Sequence, residues 1–313
     1  MYELSGEVAR GFASQNESVK RIAVAAMVGL VDEWWFRLLA GLICSSFAAA
    51  AAYKARSLSV SGAWSAAVMG TGFVTLGEPV WFGVLIAFFV SSSALSKYKR
   101  KHRAKAAAEA NYEKTGRRDA GQVWANGGAG LLLCAAHAIW PHEGWLFAYI
   151  GVMAAVNADT WATEIGALSR SAPRMVLSGK RVAAGTSGGV TPLGSAAALA
   201  GAVFIGAVAS LLLAATQQLA PAAAGTLGGA AAAYIAAAAA AGLAGAFADS
   251  LLGATGQAMY RCRTCGSVTE RAAHCGGPAE LVRGFAWLNN DRVNLLSSLF
   301  AGLLGLGIGA ALL

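Results

Sequence analysis

The sequence predicts an all-α protein, a polytopic transmembrane helix bundle, and three observations lead to this fold class. First, 57% of the 313 residues are hydrophobic and only 13% are charged, whereas about a quarter of the residues of an average soluble domain are charged. Second, apolar stretches of membrane-spanning length recur along the whole chain. Third, basic residues fall in every second connecting loop, which is the pattern that orients membrane proteins.

About eight apolar stretches are long enough, or nearly so, to cross a bilayer as helices. Residues 1–33 precede them and contain a short apolar segment that predicts an interfacial helix or part of an extra span. Glu3, Glu7 and Glu17 replace the basic region of a cleavable signal peptide, so none is predicted. The integral membrane domain is therefore 34–313, with spans at 34–53, 60–76, 79–96, 121–140, 144–158, 192–215, 226–253 and 293–313.

The loops between the spans differ in charge. Lysine and arginine occur in four loops that lie two spans apart, and the turns between those loops contain neither residue. By the positive-inside rule the basic loops face the cytoplasm, which predicts a multi-pass protein of the plasma (inner) membrane. This arrangement accounts for the net charge of +8 without a nucleic-acid partner. The larger predicted cytoplasmic loops are 97–119, 159–191 and 254–292.

Carboxyl groups at the end of the fifth span are a first candidate site, because ionisable groups in apolar spans are costly and are usually kept for function. Asn157, Asp159 and Glu164 occur there. In a continuous helix Asp159 and Glu164 point about 140° apart. Either the helix breaks at this point, or the two carboxylates contact different neighbours. A polar helix end at the water boundary remains an alternative.

A second candidate is a stripe of four glycines with one acid, Gly242, Gly245, Asp249, Gly253 and Gly256. Spacings of three and four residues place all five on one helix face. A packing groove between helices needs the glycines but gains nothing from a buried acid. The stripe therefore predicts close helix packing around a functional carboxylate.

Two further polar clusters lie at the starts of the last span and the fourth span. Asn290, Asp291 and Asn294 precede the last span, and Arg118 and Asn126 lie at the start of the fourth. Helix capping and topology-setting charge explain single members of these clusters. All four clusters nevertheless lie at span ends on the predicted cytoplasmic side, and this convergence predicts one shared site.

A segment between the fifth and sixth spans has the composition of a phosphate-binding loop. Glycines let backbone amides point inward, hydroxyls add donors, and Lys180 and Arg181 add positive charge. The ending of a Walker A motif is absent, and flexible loops often have the same composition. With the nearby carboxylates, the segment indicates Mg²⁺-assisted chemistry on a phosphorylated lipid. It consists of Gly185, Thr186, Ser187, Gly188 and Gly189.

A small loop before the last span contains Cys262, Cys265, His274 and Cys275. Three thiols and an imidazole have the composition of a structural Cys₃His zinc site, and a reducing cytoplasm disfavours disulfides. The adjacency of His274 and Cys275 makes the geometry awkward. A partner-dependent or vestigial site and a redox role remain alternatives.

The chain resembles, over nearly its whole length, the membrane family catalogued as domain of unknown function ninety-two. Relatives in this family include a human multi-pass transmembrane protein, number nineteen of its series, and a plant phytyl-phosphate kinase. The segments that carry the resemblance are 157–166, 185–191, 249–254, 262–275 and 290–294.

The resemblance implies a prenyl-phosphate kinase that uses CTP or another nucleoside triphosphate. In that reaction Asp159, Glu164 and Asp249 would hold Mg²⁺, and Asp291 would join them as a catalytic carboxylate. A membrane cytidylyltransferase, or a non-enzymatic transporter or lipid carrier, is the alternative. The residues expected to hold the nucleotide are Asn157, Lys180, Arg181, Gly185, Thr186, Ser187, Gly188, Gly189, Arg118, Asn126, Asn290 and Asn294.

Overall fold

The computed structural model describes residues 33–98, 112–114, 116–216 and 227–312. Within these ranges it contains eight long helices, so the predicted all-α bundle is confirmed. Residues 1–32, predicted to form an interfacial helix or an extra span, lie outside the described residues. The helices are α1 (Trp34–Lys54), α2 (Val60–Leu76), α3 (Pro79–Tyr98), α4 (Ala120–Ile139), α5 (Glu143–Gly166), α6 (Pro192–Ala215), α7 (Leu227–Thr255) and α8 (Asn290–Leu312).

The helices differ in how well they suit a bilayer. By length and composition, α1, α3, α6, α7 and α8 are each long and apolar enough to cross a membrane. Helix α2 is apolar but has only 17 residues. Helices α4 and α5 have 20 and 24 residues, and polar side chains occupy one end of each. The bundle therefore combines strongly apolar helices with two that depend on protein neighbours.

Helix α5 is the centre of the bundle. Every residue from 146 to 158 is buried, and the helix packs against α3, α4, α6, α7 and α8. Small residues permit this enclosure, since a Cβ atom at Gly151 would come within 2.5 Å of the Ala301 carbonyl oxygen on α8. Close approach of helix backbones through glycine and alanine is a common source of stability in membranes.

The helix of the fifth predicted span extends beyond the apolar stretch. Helix α5 does not end at 158 but continues to Gly166, so the following loop begins at 167 rather than 159. Two polar residues of this extension have partners: the Thr160 hydroxyl donates to the Val156 carbonyl at 2.9 Å, and Ser96 on α3 binds Glu164. Helix α8 likewise begins at Asn290, three residues before the predicted span.

The loops at the polar end contain short antiparallel strands. Strands β1 (Arg174–Met175) and β2 (Gly189–Val190) form a hairpin between α5 and α6. Five strands form a β lobe, residues 259–283, between α7 and α8. They pair as a sheet of order β4-β3-β7 and a separate β5-β6 hairpin. The strands of the lobe are β3 (Met259–Arg261), β4 (Val268–Thr269), β5 (Ala273–His274), β6 (Gly277–Pro278) and β7 (Glu280–Arg283).

Candidate functional site

A cleft of about 340 Å³ opens at one end of the bundle, where α4 and α8 begin and α5 and α7 end. It brings together members of all four polar clusters and the glycine-rich segment, although these are up to 176 positions apart in the chain. The predicted residues that line it are Asp159, Glu164, Asp249, Asp291, Arg118, Asn126, Asn290, Asn294, Gly185, Thr186, Ser187, Gly188 and Gly189.

Helix packing places Asp159 and Asp249 at the same level of the cleft. Helices α5 and α7 run in the same direction, and a Cβ atom at Gly245 would lie 2.5 Å from the Cβ of Ala155. One helical turn beyond this contact, Ala155 leads to Asp159 and Gly245 leads to Asp249. Both carboxyl groups line the cleft and interact electrostatically. The glycine stripe thus sets the register of the two acids.

Helix α8 contributes two polar side chains, Ser297 and Asn294, next to this acidic pair. The Ser297 hydroxyl donates a hydrogen bond to the Asp249 carboxylate at 3.1 Å. One turn earlier, the amide oxygen of Asn294 is buried in the cleft wall without a hydrogen-bond partner among the described residues. A buried acceptor without a partner costs about 1–3 kcal/mol, so a ligand that coordinates this oxygen would recover that free energy.

Glu164 has different neighbours from Asp159, as expected for a helix that does not break. Its carboxylate accepts a hydrogen bond of 2.5 Å from the Ser96 hydroxyl and lies in the field of Arg118. The Arg118 guanidinium donates to Ser93 at 3.0 Å and lies over the ring of Phe89 at 5.7 Å. Arg118 is therefore held as a positive charge where the cleft meets the apolar bundle.

Lys114 is a cleft residue that the sequence analysis missed. Its ammonium group lies 2.5 Å from Asp291 and 3.0 Å from Asp119, the residue that caps α4. Burial alone would lower the pKa of Lys114, but its hydrogen bonds to the two carboxylates raise it above the usual value. The bridge fastens the segment before α4 to the start of α8. Nothing in the sequence distinguished this lysine from the other basic residues of loop 97–119.

The glycine-rich segment packs tightly on the end of α7. A Cβ atom at Gly188 would come within 2.6 Å of Ala254, and Gly188 has a φ of +85°. Two amides of the segment are used internally, from Thr186 to Ala183 O and from Gly189 to Thr186 O. The Ser187 hydroxyl donates to Gln257 at 2.5 Å. The segment is thus a folded turn whose position is fixed by α7.

The charges of the cleft favour a bound cation. Six carboxyl groups but only two basic side chains, Lys114 and Arg118, line it within the described residues. A cation bound among these acids would reduce their mutual repulsion. Mg²⁺ takes oxygen ligands in proteins, and the carboxylates of Asp159 and Asp249 with the free amide oxygen of Asn294 supply them. The donor set fits Mg²⁺.

Three residues predicted to bind the nucleotide do not line the cleft. Asn157 is fully buried, and its amide group joins helices by accepting from Ser91 at 3.1 Å and donating to the Gly201 carbonyl at 2.8 Å. Lys180 and Arg181 are exposed on the turn between β1 and β2. Asn157 precedes the part of α5 that lines the cleft, which begins at Asp159, and it is enclosed by α3 and α6.

An apolar groove adjoins the cleft and shares three of its lining residues, Arg118, Gln122 and Asn126. It has a volume of about 80 Å³ and lies between α1, α2, α3 and α4. Apart from those three residues and Ser45, its walls are apolar or glycine. The other residues that line it include Ala48, Ala49, Ala52, Leu58, Ala66, Met69, Phe82, Leu85, Phe88 and Phe89.

Glu270, on the β lobe, forms part of the cleft wall and was also missed. Its carboxyl group accepts hydrogen bonds from the Gln257 amide at 2.9 Å and from the Glu113 backbone N–H at 3.1 Å. Burial raises the pKa of Glu270 to about 7, and these two hydrogen bonds and the charge of Arg283 oppose this only in part. The lobe and the segment before α4 thus meet at an acid that favours its neutral form.

This pKa predicts a pH-dependent stability. The folded protein keeps the Glu270 proton up to about pH 7, whereas a glutamate in an unfolded chain loses it near pH 4.5. This stabilisation amounts to at most about 3 kcal/mol. It is complete below about pH 4.5 and is lost as the pH rises to about 7.

Glu270→Gln is expected to reduce the pH dependence of the thermal-unfolding midpoint of detergent-purified protein between pH 5 and 8. Glu280→Gln, an exposed carboxyl of the same lobe, serves as control. An unchanged slope in Glu270→Gln would contradict the assignment.

The bundle and its polar cleft define a multi-pass integral membrane protein, and comparison with known families places it further. Residues 43–302 match the family described as integral membrane protein DUF92. The chain belongs to this family, and the resemblance noted in its sequence motifs is confirmed.

Two curated relatives are similar to the chain. Protein PGR of Arabidopsis thaliana is 33% identical over 188 residues, which are 55% of this chain and 63% of the plant protein. An uncharacterised membrane protein of Methanocaldococcus jannaschii is 29% identical over 181 residues, 58% of this chain and 73% of the archaeal protein. The matched region thus spans less than two thirds of the plant relative. No solved structure matches the chain.

Proposed function

We propose that this protein is a membrane-embedded lipid-phosphate kinase that transfers a phosphoryl group from CTP or another nucleoside triphosphate to a prenyl monophosphate. The observation that carries the proposal is the junction at Arg118, where an acidic cleft suited to Mg²⁺ and phosphates meets an apolar groove. A substrate with an anionic head and a hydrocarbon tail matches both parts. The polar end of the bundle would face the cytoplasm, where nucleotides are available.

The cleft residues suit phosphoryl transfer, which depends on positioning and charge neutralisation more than on covalent chemistry. Bound Mg²⁺ would neutralise the charge that develops on the phosphoryl oxygens. Asp159, Asp249 and Asn294 would hold the metal, and Arg118 and Lys114 would orient the phosphate groups. The attacking phosphate oxygen is already anionic, so no general base is required. Asp291 would act through its ion pair with Lys114.

The groove supports a lipid as the acceptor. Its apolar walls can hold a hydrocarbon chain next to the cleft without exposing that chain to the cleft water. The Arg118 guanidinium lies over the Phe88 and Phe89 rings, and Arg118 lines both the groove and the cleft. This position suits a phosphate whose attached chain continues between α1, α2, α3 and α4.

The proposal is tested with purified protein in detergent, Mg²⁺, CTP or ATP, and prenyl monophosphates of increasing length. Mass spectrometry should detect the prenyl diphosphate together with a nucleoside diphosphate. Release of inorganic diphosphate with a cytidylylated lipid would identify a cytidylyltransferase instead. Substrate flux in proteoliposomes without nucleotide consumption would identify a transporter.

Filling the groove should change the preference for chain length. Ala48→Phe places an aromatic ring in the groove and is expected to lower kcat/KM for long prenyl phosphates by at least about tenfold, with the shortest affected little. Ala50→Phe is the matched control, since Ala50 is exposed on the same helix and does not line the groove. Equal losses for short and long substrates would argue that the groove does not hold the chain.

A further inference from the structure

Four potential metal ligands converge in the β lobe, outside the cleft. Each of Cys262, Cys265, His274 and Cys275 offers one ligand atom, and all four atoms lie within 4.8 Å of one another. The Nδ1 atom of His274 lies 3.4 Å from the Cys265 sulfur and 3.2 Å from the Cys275 sulfur. The four atoms are therefore close enough together to bind one metal ion.

These distances suit tetrahedral zinc. Zn–S bonds of about 2.3 Å and Zn–N bonds of about 2.0 Å imply separations of roughly 3.5–3.8 Å between neighbouring ligand atoms. The observed contacts are close to this range, so small side-chain rotations suffice to complete the coordination. A disulfide would need two sulfurs at about 2.05 Å and would leave the third thiol unpaired. Three sulfurs and one imidazole nitrogen form a common structural zinc set.

The backbone explains how adjacent residues reach one metal. Cys275 has a φ of 51°, a left-handed conformation that is uncommon for a residue other than glycine, and Gly276 follows with a φ of 77°. This turn joins β5 to β6 and lets the side chains of His274 and Cys275 lie on the same side. On the opposite hairpin, the Gly266 N–H donates to the Cys262 carbonyl at 2.9 Å. The awkward spacing seen in the sequence is thus resolved by the fold.

The lobe has little hydrophobic core to hold these turns without a metal, since Met259 and Cys262 are its only buried apolar side chains among the described residues. Its strands have two to four residues, and Val268, Leu281 and Val282 are each more than 40% exposed. Segments of this size usually need a metal, a disulfide or a partner to fold stably. The four ligand residues lie on both hairpins, which a bound ion would join.

We propose that Cys262, Cys265, His274 and Cys275 bind one structural Zn²⁺ ion, which orders the β lobe and so fixes one wall of the cleft. The lobe reaches the glycine-rich segment in two ways, directly through Arg283 and indirectly through Gln257. Arg283 donates to the Gly253 carbonyl at 2.8 Å and to the Ser187 carbonyl at 3.3 Å. Glu270 receives the Gln257 amide, which also contacts Ser187. Zinc would thus stabilise the glycine-rich segment from a distance.

The test measures zinc in detergent-purified protein by inductively coupled plasma mass spectrometry. We expect about one zinc per chain, and at least a fivefold lower content in the double variant Cys265→Ser, Cys275→Ser. Cys44→Ser, which alters an exposed cysteine of α1, should keep its zinc. Asp249→Asn should also keep it, so the outcome is independent of the proposed kinase activity.

Two measurements on the unmodified protein keep the proposal falsifiable if the double variant does not fold. Chelation should expose three additional reactive thiols and release zinc in proportion. It should also speed hydrogen exchange of 257–283 and 185–189 at least tenfold while leaving α6 unchanged. Protein that contains no zinc after growth in zinc-supplemented medium, with those three thiols freely reactive, would overturn the proposal. Iron in place of zinc would overturn it as well.

Discussion

Asp249→Asn is expected to lower the rate of prenyl diphosphate formation by at least about 10³-fold, with the protein still inserting and purifying normally. The substitution removes the negative charge that would face Mg²⁺. It retains an oxygen that can accept the Ser297 hydrogen bond, so the packing of α7 against α8 should be preserved. The measurement is product formation by mass spectrometry, with size-exclusion elution and thermal-unfolding midpoint recorded beside it.

Glu143→Gln is the control for this experiment. Glu143 is an exposed carboxyl at the opposite end of α5, and its replacement should leave the rate within about twofold. Full activity in Asp249→Asn would remove this residue from the mechanism. Equal loss in both variants would point to a general effect of charge on the protein rather than to a metal site.

Gly305→Leu is expected to lower the free energy of unfolding by about 3 kcal/mol, because the side chain has no space. A Cβ atom at Gly305 would come within 2.4 Å of the Phe147 carbonyl oxygen on α5, which is backbone and cannot move aside cheaply. Helices α5 and α8 would have to separate. Thermal or denaturant unfolding in detergent would measure the loss.

Gly307, two residues further along α8, provides a matched comparison. A Cβ atom there meets nothing within 4 Å, and leucine is a better helix former than glycine by somewhat less than 1 kcal/mol. Gly307→Leu should therefore be neutral or slightly stabilising. Similar losses at both positions would show that α8 does not approach α5 as closely as the structure indicates.

The bundle could be predicted from the sequence because long apolar stretches have few alternatives to helix in a membrane. The helix boundaries at the polar end could not be predicted, because hydropathy does not reveal a helix that continues into polar sequence. Residues 159–166 continue α5 as a helix because neighbouring side chains bind them, as Ser96 binds Glu164. Such partners are distant in the chain and leave no local pattern.

The convergence of Asp159, Asp249 and Asn294 was predicted because polar groups in apolar spans are energetically costly and all three lie at span ends on the same predicted side. Lys114 and Glu270 were missed because they lie in loops where charge is ordinary and only the folded contacts distinguish them. Asn157 was misplaced for the opposite reason. Its position in the span marked it as important, but its amide serves to join α3, α5 and α6.

The enclosure of α5 also has a consequence for how the protein is made. This helix leaves the ribosome before α6, α7 and α8, which later cover most of its surface. Its polar end has to be tolerated by the membrane insertion machinery until those partners arrive. A nascent chain stalled after α5 should therefore be a good substrate for membrane quality-control proteases, and completion of α8 should end that exposure.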